Sequence, residues 1–111
     1  MTENEWYPFR SGATLGQRGS EDGTVLRDEE HPLGARITLE RDGRIAPFAI
    51  TCGIYSWMMH TRFFGSQNEA NSDYDSMKCS LAKLLERANE STDGGHKVLM
   101  NGASEFVETY P

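Results

Sequence analysis

In Ile45–Phe64, IAPFAITCGIYSWMMHTRFF, large apolar side chains crowd together without a single acid. Aromatic and β-branched residues fit a pleated, half-buried surface, so the stretch reads as the two central strands of a small sheet. Thr51-Cys52-Gly53 is the expected turn between them. Successive strand residues point to opposite sides. In the second strand Tyr55, Trp57, Met59, Thr61 and Phe63 therefore share one face, and Ile54, Ser56, Met58, His60 and Arg62 the other. The first set is bulky and is expected to be the wall on which a helix packs, whereas the second turns polar toward its end.

Toward the N-terminus, Arg41-Asp42-Gly43-Arg44 carries Asp-Gly between two strand-like runs, the strongest short hairpin signal in the chain. In ARITLER, Ala35, Ile37 and Leu39 alternate with Arg36, Thr38 and Glu40, the period-two pattern of a strand with one wet face. Pro47 cannot donate to a ladder, which places it at an outward-facing or bulged position. Before the turn-like HPLG lies TVLRDEE, a further strand. Before that, SGATLGQRGSEDG has few side chains able to pack and reads as a mobile loop behind an aromatic anchor, Trp6-Tyr7-Pro8-Phe9.

Toward the C-terminus, Tyr74, Met77, Leu81, Leu84, Leu85 and Ala88 recur at helical spacing and predict a helix over 73–90, closed by Gly94-Gly95. The last segment is ambiguous between a strand with a helical turn and a short broken helix; 104–109 is read as helix. The fold class is α+β: an antiparallel meander of about four strands, 24–29, 35–41, 44–51 and 54–64, with one main helix packed on one face. The whole of 1–111 forms a single domain with a flexible glycine-rich N-terminal segment over about 10–23.

Composition narrows the function classes. Of 111 residues, 11 are Lys or Arg and 17 Asp or Glu, a formal charge of −6. Nucleic-acid affinity comes from cations displacing counterions, so nucleic acid is not expected as a partner. The acidic N-terminus lacks a basic signal-peptide region and no apolar stretch reaches spanning length, so the expectation is a cytoplasmic protein with no membrane partner. The two cysteines, Cys52 and Cys79, form no CxxC and read as reduced thiols.

Candidate chemistry is sparse. Gly12, Gly16, Gly19 and Gly23 are followed by a strand, whereas a phosphate cradle needs a helix N-terminus behind it. Asp28-Glu29-Glu30-His31 holds metal-ligand types, but neighbours on a strand diverge. His31, His60 and His96 lie on separate segments without zinc spacing. No cofactor, metal or catalytic residue is assigned. A Cys52–His60 pair could activate a thiolate, yet Cys52 sits in an apolar run where cysteines are inert. The remaining candidates are ligand-binding residues, Tyr55, Ser56, His60 and Arg62, an aromatic beside a polar strand face able to hold an anion or carboxylate. Two functions follow as expectations. The leading one is a non-catalytic protein-binding domain, of the kind of a bacterial immunity protein or adaptor, whose acids at 21–22 and 28–30 meet a basic protein partner. The alternative is a small-molecule-binding protein or small enzyme with a pocket beside the sheet. A homo-oligomer through a sheet edge or the Trp6/Tyr7/Phe9 segment is a further expectation.

Overall fold

The computed structural model describes residues 5–111. Its elements run β1 (Tyr7–Pro8), a short 3₁₀ turn (Phe9–Gly12), β2 (Thr24–His31), β3 (Ala35–Arg41), β4 (Phe48–Ile54), β5 (Met58–Phe64), α1 (Gln67–Asn89) and α2 (His96–Thr109). The strands form one antiparallel sheet in sequence order, β1-β2-β3-β4-β5, and α1 lies on one face with α2 packed against it. This is the α+β meander with a main helix on the sheet; the additional strand is β1, built from the aromatic anchor and paired to Glu29 and Glu30.

Three boundaries differ from the sequence reading. The stretch after Asp42 is a longer loop, because Pro47 offers its carbonyl to Asp42 N–H (2.7 Å) and the ladder begins only at Phe48, opposite Arg41. Thr51-Cys52-Gly53 is not a turn. It continues β4, and glycine is required at 53 because a side chain there would meet the Met58 carbonyl at 2.9 Å. The reversal comes at Tyr55-Ser56-Trp57, where Ser56 takes a φ of 71° and Trp57 N–H bonds back to the Ile54 carbonyl.

The faces of β5 are opposite to those expected. The register pairs Ile54 with Met58, Cys52 with His60, Ile50 with Arg62 and Phe48 with Phe64, so the even-numbered residues face the helices. Met59, Thr61 and Phe63 fall on the opposite, open side with Thr51 and Gly53. The wall expected from the odd-numbered residues is therefore on the wrong side; the helices rest instead on Ile37, Leu39, Ile50, Cys52, Ile54 and Phe64.

α1 starts earlier than its apolar spacing suggests, at Gln67, with Ser66 accepting from Glu69 N–H. Asp73 and Asp75 lie within the helix and pair with Arg62 and Arg27. α2 begins at His96, well before 104, because the Asp93 carboxylate accepts from the N–H groups of Gly95 and Lys97 at its start. The Ser91 hydroxyl, and after it these N–H groups, hold the Asp93 carboxyl below its ordinary range.

Tyr74 ties helix to sheet. Its ring is fully buried, and its hydroxyl donates to Glu29 Oε1 (2.9 Å) and lies 3.2 Å from the Ile37 carbonyl. Tyr74→Phe keeps the ring and removes both contacts. Urea unfolding should show a loss of about 1–2 kcal/mol.

Candidate functional site

The open face of the sheet carries what its alternation dictates: Asp28 from β2, Arg36, Thr38 and Glu40 from β3, Thr51 from β4, and Met59, Thr61 and Phe63 from β5. Neither helix covers this face. The N-terminal segment crosses part of it instead, leaving a cavity of about 780 Å³ between the segment, the strands and the Tyr55-Ser56-Trp57 turn. A volume of this size is that of a small-molecule site.

Two buried carboxylates hold the segment down. Glu40, only 1% exposed, accepts from the N–H groups of Gly23 (3.0 Å) and Glu21 (3.2 Å) and from the Ser20 hydroxyl (3.4 Å). A buried carboxylate must be satisfied in this way. Gly19 and Gly23 make the approach close enough: a methyl group on Gly19 would lie 2.3 Å from the Glu40 carboxyl carbon, and one on Gly23 would lie 2.5 Å from the Arg41 carbonyl. Asp28 accepts from Arg36 Nε (2.9 Å) and Nη2 (2.7 Å) and from the Thr14 hydroxyl (2.7 Å). The same guanidinium stacks 3.6 Å from the centre of the Phe9 ring. Because the Arg41 carbonyl is backbone and cannot yield, Gly23→Ala should cost about 1–3 kcal/mol in chemical denaturation.

A row of hydroxyls crosses the cavity floor. Thr38 pairs with Thr51 and Thr51 with Thr61; the Thr51 and Thr61 hydroxyls are 3.2 Å apart. At the rim, Tyr55 donates to Glu30 Oε2 (2.6 Å). Burial, reinforced by Glu30, pushes the Tyr55 hydroxyl up to about 12, so at neutral pH it is a donor and not a phenolate base. The charged groups around the cavity are Glu21, Asp28 and Glu40 against Arg18 and Arg36, a balance that favours a neutral or cationic ligand over an anion.

The sequence-derived site residues separate. Tyr55 and Ser56 line the cavity. His60 and Arg62 lie on the helix side of β5: His60 Nε2 contacts the Tyr110 carbonyl, and Arg62 bonds Asp73 (2.7 Å) and the Pro111 carbonyl (3.2 Å), fastening the end of the chain to the sheet. Thr38, Thr51, Thr61 and Glu40 were not assigned from sequence. Their signal was the wet half of the ARITLER alternation and its register partners.

Cys52 does stand directly opposite His60. Burial, partly offset by Arg62, nevertheless pushes the Cys52 thiol up to about 12, and it is 2% exposed, so no thiolate forms. A thiol reagent at neutral pH should label Cys79 in the folded protein and reach Cys52 only on unfolding; fast labelling of Cys52 would show that the strand pair opens. Among the described residues no group of three His, Cys, Asp or Glu side chains converges to hold a metal ion, and no helix is long and apolar enough to cross a membrane.

Comparison with protein-family models, curated proteins and solved structures finds no match for the chain. Fold and site define its class: an α+β domain whose helices cover one sheet face and whose N-terminal segment half-roofs the other.

Proposed function

We propose that the chain is a non-catalytic binding domain that takes a small neutral or cationic ligand on the open face of its sheet. The observation that carries this reading is the 780 Å³ cavity, with a polar floor of threonine hydroxyls and an apolar rim of Tyr55, Trp57 and Met59. An apolar wall with a few fixed polar groups is what a small-molecule site requires.

A protein partner is the second reading, favoured by the exposure of Tyr55, Trp57 and Met59 at the same rim and of Phe63 on the same strand as Met59. The acids favour it only in part. Asp22 is paired with Arg18 and Arg44, Asp28 with Arg36 and Glu29 with Lys78, which reduces the acidic charge at 21–22 and 28–30, whereas Glu30 accepts only from the neutral hydroxyls of Tyr7 and Tyr55 and keeps its charge.

Thr51→Phe separates the readings, since it fills the cavity floor and leaves the rim unchanged. A thermal-shift screen of neutral, cationic and anionic metabolites should find a neutral or cationic compound that stabilises the wild-type protein. At about a hundred times its Kd such a ligand adds about 2.7 kcal/mol, a Tm rise of roughly 10 °C for a domain of this size. The rise should disappear in Thr51→Phe. No stabilising compound, or an undiminished shift in the variant, would rule the cavity out as the site.

A further inference from the structure

The two edges of the sheet are finished differently. The outer edge of β2 is covered near both ends by the chain itself: Tyr7-Pro8 pair with Glu30 and Glu29, and Gly16 and Gln17 exchange backbone bonds with Val25 (2.8 and 2.9 Å). Pro8 adds the usual protection of an edge. The β5 edge meets the rest of the chain only through side chains, His60 at the Tyr110 carbonyl and Arg62 at the Pro111 carbonyl. It is the last strand of the sheet, and among the described residues no backbone hydrogen bond reaches it from outside. Nor does it carry Pro, Lys or an acid, and it exposes Met59 (82%) and Phe63 (43%).

We propose that a second copy of this chain pairs with this edge, β5 against β5, antiparallel about a two-fold axis through Thr61. The sequence is self-complementary about that point. Met59 comes opposite Phe63 of the partner subunit, Phe63 opposite the partner subunit's Met59, and Thr61 opposite its own copy, so apolar meets apolar twice on the exposed side. On the other side, Arg62 comes opposite His60 of the partner subunit, and its charge is already matched by Asp73 at 2.7 Å. The charge distribution selects the same edge. Two chains of net charge −6 can meet here because Ile45–Phe64 contains no acid, whereas the β2 edge is flanked by Asp28, Glu29 and Glu30. Because the β2 edge is covered, β5 has only another β5 to join. The assembly closes as a dimer of two five-stranded sheets and cannot grow into a filament. Met59 and Thr61 also line the cavity, so the partner subunit's Phe63 extends its wall.

Sedimentation velocity of the full chain from low to high micromolar concentration tests the pairing and its register. The wild-type protein should move from one to two chain masses and no further. Met59→Lys and Phe63→Glu, both at exposed positions that leave the core untouched, should each remain monomeric where the wild type is dimeric. The double variant sets a cation opposite an anion on both sides of the axis and should recover the dimer. A wild type that is monomeric throughout, including one whose edge takes a foreign strand instead, overturns the proposal. So does growth beyond two chains, or a double variant as monomeric as its parents.

Discussion

The structure depends on the alternation of sides along β3, the middle strand of the sheet. Ile37 and Leu39 are fully buried beneath α1 with Ile50, Tyr74, Met77 and Leu81, and each such side chain contributes about 1.5–3 kcal/mol by leaving water. A slip of one residue would drive Thr38 and Glu40 under the helix, so the register is fixed by the core alone. What collects on the far side is then a consequence of how the near side packs. Hydroxyls, a carboxylate and a guanidinium are gathered into one open surface because they are the residues between the apolar ones.

The same alternation explains how far the sequence could be read. ARITLER declared both faces of β3, HPLG marked a turn that the structure places there, with Gly34 at a φ of 111°, and the spacing from Tyr74 to Ala88 declared the buried stripe of α1. The turn inside IAPFAITCGIYSWMMHTRFF is misplaced by the sequence because glycine has two uses. At Gly53 it admits the backbone of a neighbouring strand, and nothing local distinguishes that from a turn. The sides of β5 are exchanged for a different reason: bulk marks the odd-numbered residues as the wall, but Met59 and Phe63 stay exposed while His60 and Arg62, on the side expected to be open, stand beneath the helices. The start of α2 was missed for another reason: its cap comes from the Asp93 side chain ahead of two glycines, and its buried residues, Leu99, Gly102 and Phe106, form too thin a stripe to mark its length.

Charge shows a similar gap between composition and structure. The excess of acids suggests an acidic docking surface, yet Asp22, Asp28 and Glu29 are each paired with a cation of the same molecule. The Asp22 pair is exposed and adds little stability. Asp28 with Arg36 is different, because the carboxylate is fully enclosed and breaking the pair would strand a buried charge, at a cost of about 3–5 kcal/mol. Its role is geometric, since it sets the Arg36 guanidinium against Phe9 and seats Thr14 at the start of the roofing segment.

The order in which these parts leave the ribosome gives the Glu40 staple a further meaning. Residues 20–23 are synthesised before β3 and their donors have no carboxylate to meet until Glu40 has followed them, while β2 and β3 can pair as soon as both exist because their contacts are local. The roof therefore closes early, over a half-built sheet. The opposite face has to wait: Ile37, Leu39 and Ile50 remain uncovered until residues 67–89 have been made. Until that helix is made, the sheet has an apolar face open on one side only.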